Sequence, residues 1–282
     1  MKILLTNFHD GDGGGHTTYL TILARDLAAR HDVHVAAPGS SRLYRQVAAL
    51  PGVHALSQPF PNGLKHLAAA QHARRGLTAY LRAQRFDIVH VNGSADHRLV
   101  LAALRGLQPR PRIVFTKHNS KALGGLGHWW RARGTDLAIG VSEATRRMLK
   151  ASPYARCAPL TIRNGVDVEH YRPWPADATA DARGHFLGDA ELLLGSNAGT
   201  AEHKGWMDLA EALALLPEAQ RRRVRVLLCG KPPSSTQRDR LQALHVDDRF
   251  IFAGMLDDVR PAIATIDVGF VLSYAVETIS FA

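Results

Sequence analysis

Short apolar runs alternate with helical patterns from one end of the chain to the other. Residues 2–7, 33–37, 87–92, 112–117, 137–141 and 160–163 read as strands of the continuous apolar kind that parallel sheets bury on both faces. Between them, apolar positions at helical spacing predict helices over 16–30, 42–50, 64–85, 98–107 and 143–150. Leu20, Leu23, Ala24 and Leu27 mark the inner face of the first, and Ser142 stands where the N-cap of the last belongs. Pro173 and Pro175, followed by a small polar run, break the alternation and predict an interdomain linker over 172–186. A second series follows, with strands over 192–197, 224–229, 250–253 and 268–273 and helices over 206–216, 235–245 and 259–264. The expected fold is therefore α/β, two doubly wound parallel-sheet domains over 1–171 and 187–282. The second has fewer units than the first and stops just past a strand, so the chain reads as a truncated version of a longer protein.

Bulk properties narrow this only a little. With 46% hydrophobic and 21% charged residues the chain is globular and not disordered. No stretch approaches the roughly 18 apolar residues that span a bilayer. The apolar start runs into a glycine loop without a cleavage pattern, so the expected compartment is the cytoplasm. Cys157 and Cys229 offer neither metal-ligand spacing nor a disulfide framework. Thirty-five Lys and Arg against 25 Asp and Glu, a net +10, imply an anionic partner without choosing among nucleic acid, an acidic substrate and a membrane face.

In doubly wound sheets ligands collect at the carboxyl ends of strands, so the loops there carry the candidate chemistry. The stretch from Asn7 to His16, with Gly11, Gly13, Gly14 and Gly15, runs from strand through glycine loop into helix, an arrangement that offers unpaired N–H groups to a phosphate. His118 and Asn119 leave the strand ending at Lys117; a histidine there can donate to a substrate oxygen or buffer developing charge. Lys204 follows the loop containing Gly195, Gly199 and Thr200 and opens a helix, where a cation sits against the dipole and beside anion-favouring amides. Glu277 lies just past the last strand. A dinucleotide fingerprint is excluded because the second strand ends in Ala36, Ala37, Pro38 and Gly39 with no acidic residue. A phosphate-binding P-loop is excluded by Arg225, where its first glycine would stand, and a hydrolase elbow by the lack of G-x-S-x-G. No Asp-x-Asp or comparable pair stands at a strand end, so no metal and no cofactor are expected.

Taken together, these loops resemble the retaining, nucleotide-sugar-dependent glycosyltransferases of family 4. The resemblance rests on Gly13, Gly14 and Gly15 with the helix after them, on Phe86 to Val91, on Val141, Ser142 and Glu143, and most specifically on Ile162 to Asp167 followed by Tyr171, Arg172 and Pro173. It implies the GT-B architecture, two Rossmann-like domains facing each other across a cleft, the second incomplete here. It implies that Gly14 and Gly15 approach the donor diphosphate or sugar, that His118 lies beside the sugar, and that Lys204 neutralises the leaving diphosphate. Glu277 would contact hydroxyls of the transferred sugar, with amides about Ile279, Ser280 and Phe281, and the loop at Gly199 and Thr200, helping to hold the donor. Gly13, His16 and Asn119 would face the acceptor.

The implied partners are a UDP- or GDP-sugar and a glycan or lipid-linked acceptor, with lipopolysaccharide or another surface glycan as the product. The helix over 64–85, which sets Leu64, Leu67, Leu77 and Leu81 among Lys65, Arg74, Arg75, Arg82 and Arg85, reads first as a core-packed helix with a solvated basic face, and would also suit an anionic acceptor or peripheral contact with the inner face of the cytoplasmic membrane. Two departures stand out. The family's arginine five positions before the lysine is Gly199 here, and its second glutamate would fall three positions beyond Ala282. The expectation is thus a form that binds donor poorly and transfers little. A nucleotide-sugar epimerase of the same architecture and a basic nucleic-acid-binding protein are the alternatives; basic residues do not interleave with aromatics, which weakens the second.

Overall fold

In the computed structural model, which describes residues 1–11 and 13–274, the chain divides into two units, Met1–Gly165 and Val166–Ala282. The first unit runs β1 (Lys2–Thr6), α1 (Gly14–Ala28), β2 (Asp32–Ala37), α2 (Arg42–Ala48), β3 (Val53–Ser57), α3 (Leu67–Gln84), β4 (Ile88–Val91), α4 (Ser94–Ala103), β5 (Arg112–Lys117), α5 (Leu126–Arg133), β6 (Leu137–Gly140), α6 (Glu143–Lys150) and β7 (Leu160–Thr161). Its seven strands are all parallel, in the order β3-β2-β1-β4-β5-β6-β7. The strands read as continuous apolar runs because both faces are covered. Leu4 points into the layer that holds Val89, Val91 and Ile113, whereas Ile3 and Leu5 point into the layer that holds Leu20, Val33 and Val35. Each such fully buried aliphatic side chain contributes about 1.5–3 kcal/mol of transfer free energy. Strand order reverses between β1 and β4, which makes the gap beyond their carboxyl ends the switch point at which doubly wound sheets bind ligands.

The second unit runs α7 (Ala176–Leu187), β8 (Leu192–Ser196), α8 (Trp206–Ala214), α9 (Glu218–Arg221), β9 (Val224–Cys229), α10 (Ser235–Ala243), β10 (Phe250–Gly254), α11 (Arg260–Ile263) and β11 (Val268–Gly269). Its four strands are parallel in the order β10-β9-β8-β11, with the switch point between β8 and β11. Two core clusters flank this sheet, one around Trp206, Val226 and Leu228 and the other around Leu193, Leu227 and Ala262. The structure is thus the α/β arrangement of two Rossmann-like parallel sheets that the alternation predicts. Among the described residues no helix is long and apolar enough to cross a membrane.

Several elements differ from the sequence expectation. The stretch expected as linker, 172–186, contains most of α7, and the division between units falls after Gly165, ahead of the expected end at 171. That helix is tied down: Arg183 donates to the Thr265 carbonyl at 2.7 Å and pairs with Asp267 at 2.9 Å, and Phe186 and Leu187 pack onto the second sheet. Strand β3 has no counterpart in the expected pattern because it is an edge strand with only partly buried side chains. Helix α5 was likewise not expected, since Leu126 and Trp129 on it are exposed. By contrast, α6 spans 143–150 as expected. Ser142 accepts from the Thr145 amide at 3.2 Å and its own amide donates to Thr145 Oγ1 at 2.9 Å, a capping box whose loss costs about 1 kcal/mol.

Candidate functional site

At the β1–β4 switch point the glycine loop turns as its sequence requires. Gly13 has φ 63° and is the N-cap of α1, where it offers no side-chain cap, and Gly14 has φ 53°. Both torsions lie where a side chain is strained. Nothing stands within 4 Å of where a Gly14 Cβ would be, and Gly14 and Gly15 are exposed, so the start of this 15-residue helix is open at Gly14. Opposite, Gly93 lets β4's exit loop pass against the Phe8 ring, which any Cβ at that position would overlap.

Into this gap the fold gathers histidines that the sequence scatters. The His16 ring lies 4.5 Å from His9 and 4.4 Å from His118, and Tyr19 stands 4.7 Å from His118. His118 Nε2 is 2.9 Å from Asn92 Oδ1, while Asn92 Nδ2 donates to the Thr6 carbonyl at 3.1 Å. The amide oxygen therefore faces the imidazole, and His118 carries its proton on Nε2. Burial, reinforced by His16 and His90 nearby, holds the His118 pKa well below the ordinary value, so the ring is neutral and Nδ1 is its acceptor. The sequence reading allowed His118 to donate to a substrate oxygen; in the neutral ring that proton is already committed to Asn92.

Beneath lie the supports that sequence reasoning missed. His90 is buried, with Nε2 2.6 Å from Thr116 Oγ1, and Thr116 also pairs with the Tyr19 hydroxyl. Asp96 is fully buried, accepting from Thr6 Oγ1 at 2.8 Å and from the Asn92 amide at 2.8 Å; burial raises its pKa to about 6. Buried Lys117 donates to Asn119 Oδ1 at 2.7 Å and to the Lys121 carbonyl at 2.5 Å, and burial lowers it to about 8. Asn119, expected on the acceptor side, thus spends its side-chain oxygen on Lys117 and on the Lys121 amide at 3.1 Å. His16 Nδ1 is buried without a partner, as is Asn7 Nδ2 just past β1, and each is a polar group that a ligand in this gap could satisfy.

These histidines make stability pH-dependent. Burial lowers His16 and His90 to about 4 from 6.5. A depressed histidine binds its proton in the unfolded chain first, so its contribution is complete above 6.5 and is lost as pH falls toward 4. For fully buried His90 this is on the order of 3 kcal/mol. Asp96 acts oppositely, since a carboxyl raised to about 6 stabilises below 3.8 and loses that contribution as pH rises through 6. The histidines outnumber it, so denaturant midpoints fall between pH 6.5 and 4; a flat profile there would contradict the buried, neutral cluster.

In the second unit the chemistry lies beyond β8. A groove of about 390 Å³ opens at the β8–β11 switch point, lined by Gly195, Ser196, Asn197, Ile266, Phe270 and Val271 among others. The adjoining loop is sewn to the end of β9: the Gly199 amide donates to the Cys229 carbonyl at 3.0 Å, and Thr200 Oγ1 donates to the Lys231 carbonyl at 2.6 Å. The Thr200 carbonyl accepts from Trp206 Nε1 at 3.0 Å and Gln237 Nε2 at 2.9 Å, so Thr200 serves the loop and is itself buried. Half-buried Lys204 ends a 3₁₀ turn, Glu202–Lys204, and Gly205, with φ 68°, then starts α8. Where the resemblance expects an arginine, Gly199 brings the backbone of exposed Lys231 alongside, its amide nitrogen 3.2 Å from the Gly199 Cβ position. Glu277, Ile279, Ser280 and Phe281 lie outside the described residues.

Comparison with known proteins adds independent support. No curated protein matches. Among solved structures, Alr3699/HepE of Anabaena, crystallised with UDP and glucose, superposes with a TM-score of 0.77 at 18% identity, covering 98% of this chain and 75% of that one. A glycosyltransferase from Rickettsia africae gives 0.78 at 14%, covering 96% and 73%. WaaG, a glycosyltransferase involved in lipopolysaccharide biosynthesis, gives 0.72 at 16%, covering 96% and 75%. At such identities the likeness speaks for the fold, that of the GT-B glycosyltransferases. The sequence profile described as Glycosyltransferase Family 4 matches residues 13–170, from the glycine loop to the last turns before Tyr171 and more than half of the chain. On fold and on sequence, the chain belongs to Glycosyltransferase Family 4.

Proposed function

We propose that this protein transfers a sugar, with retention of anomeric configuration, from a UDP- or GDP-sugar to a saccharide or lipid-linked acceptor in the synthesis of lipopolysaccharide or another surface glycan. The observation that carries the reading is the second unit's switch-point groove, which has Asn197 and Phe270 in its wall and whose adjoining loop leads to Lys204. Apolar and aromatic walls with a few polar groups suit a nucleoside, and a cation beside them suits its diphosphate. Lys231 takes the part of the missing arginine. In the step itself the bond from the anomeric carbon to phosphate breaks, the acceptor oxygen bonds that carbon on the same face, and its proton passes to the departing phosphate oxygen. The protein's work is electrostatic and positional. His118 Nδ1 accepts from a sugar hydroxyl and acts as a stabiliser, not as the base. In the first unit, Arg74, Arg75, Arg82 and Arg105 surround a groove of about 310 Å³ between α3 and α4, which supports an anionic acceptor or a peripheral membrane contact there.

A thermal-shift screen of UDP, GDP, their sugars and an oligonucleotide tests the reading. A rise with one nucleoside diphosphate and none with the oligonucleotide is expected, and Lys231→Ala weakens that nucleotide at least about tenfold, or 1.4 kcal/mol. A rise with the oligonucleotide alone would overturn the assignment. Incubation of the donor without acceptor, yielding a new nucleotide sugar, would favour the epimerase.

A further inference from the structure

The end of the first sheet opposite the glycine loop holds a second cluster of ligating groups. Asp32 is the first residue of β2, in register with Lys2 at the start of β1, and His34 is in register with His54 on the edge strand β3. Cross-strand partners project to the same face, and the two imidazoles stack with centroids 4.5 Å apart. Both point Nε2 at one oxygen: Asp32 Oδ1 is 3.0 Å from His34 Nε2 and 3.7 Å from His54 Nε2. The three ligand atoms fall within 4.8 Å of one another, the one such His, Cys, Asp or Glu group among the described residues.

We propose that Asp32, His34 and His54 bind a divalent transition-metal cation of the Zn²⁺ class, with water completing the shell. Ligands held about 2.0–2.1 Å from a tetrahedral zinc stand about 3.3 Å apart, and the two measured spacings bracket that value. Two imidazoles and one carboxylate are the donor set that selects such ions over Mg²⁺ or Ca²⁺. The surroundings fit. Asp32's other oxygen, Oδ2, faces Lys2 Nζ at 3.2 Å, and Lys2 is anchored in turn on Gln84 Oε1 at 2.5 Å, which leaves Oδ1 for the cation. His34 Nδ1 is 2.6 Å from the Tyr80 hydroxyl. A hydroxyl both donates and accepts, so His34 can shift its proton from Nε2 to Nδ1, keep the Tyr80 bond, and free the Nε2 lone pair. That is the outer-shell partner that ligating histidines carry. Half-exposed Asp32 and exposed His54 give the ion an entry path, and its binding would clasp the edge strand β3 to β2. The site stands apart from sugar transfer, whose loops leave the other ends of these strands.

The test is titration of chelator-stripped protein with Zn²⁺ against a chromogenic competitor, with Co²⁺ absorption as a second probe. One equivalent binding at micromolar concentration or tighter is expected, with a rise in melting temperature. His54→Ala alters an exposed side chain and leaves the fold intact by circular dichroism, but weakens Zn²⁺ at least about tenfold; Tyr80→Phe weakens it by about the same factor. His16→Ala, in the other histidine cluster, leaves the titration unchanged. Binding that survives His54→Ala, or that His16→Ala removes, would overturn the proposal, as would the lack of saturable binding.

Discussion

Lys204→Ala and His118→Ala each lower sugar-transfer turnover at least about tenfold, a loss of 1.4 kcal/mol or more of transition-state stabilisation. The reasons differ, and so do the readouts. In the proposed reaction Lys204 meets charge that grows as the diphosphate departs, an interaction stronger in the transition state than in the ground state. Its loss therefore falls on turnover and also weakens the free nucleoside diphosphate. In the same proposal His118 meets the sugar through Nδ1, so its loss falls on the nucleotide sugar and spares the bare diphosphate. Asn92→Leu serves as the companion variant: it removes the oxygen that fixes the His118 proton on Nε2 and should shift the pH profile of turnover without removing the ring. Near wild-type turnover in both alanine variants would sink the site assignment, and equal loss of bare diphosphate binding in both would sink the division of roles.

Trp206→Ala destabilises the second unit by about 3–5 kcal/mol, the range for truncating a large buried aromatic. Trp206 is 1% exposed, and its ring stands 5.8 Å from those of Phe250 and Phe252. Its Nε1–H also donates to the Thr200 carbonyl, so one side chain is both core and support of the Gly199–Thr200 loop. Trp206→Phe separates the two functions. It keeps most of the apolar contact and costs about 1 kcal/mol for the lost hydrogen bond, with nucleotide affinity falling because the Gly199–Thr200 loop is less firmly held. Denaturant melts followed by far-ultraviolet circular dichroism measure the first effect and nucleotide titration the second. A Trp206→Ala variant within 1 kcal/mol of wild type would contradict the packing described here.

Periodicity alone located β5, α6 and β9 to the residue, because each has a sharp apolar boundary or a capping signal such as Ser142. It failed for β3 and α5, whose side chains are too exposed to write a pattern. It also misread residues 176–187, where two prolines announce a break but the helix that follows is stabilised by Arg183 reaching Thr265 and Asp267, more than 80 positions away. The glycine loop and His118 in the first unit and Lys204 in the second were legible as candidates because each lies in a loop that follows a strand. Asp96, His90 and Thr116 were not, since a buried polar residue on a strand or helix looks the same in sequence whether or not it supports a ligand; Asn92 leaves β4 as His118 leaves β5, a signal the sequence reading passed over.

The chain's own order of residues determined two parallel-sheet units, the loops that bear chemistry, and the departure at Gly199. These are local properties, set by apolar spacing and by which residues follow a strand. The tertiary structure decided what those residues are chemically. It placed His9, His16 and His118 within ring contact, kept them neutral by burial, and fixed the His118 proton through Asn92. It set Lys231 beside Gly199 and brought Asp32, His34 and His54 to one point at the far end of the sheet. Protonation and ligation depend on neighbours distant in sequence and on exclusion of water, and both arise only when strands align in register.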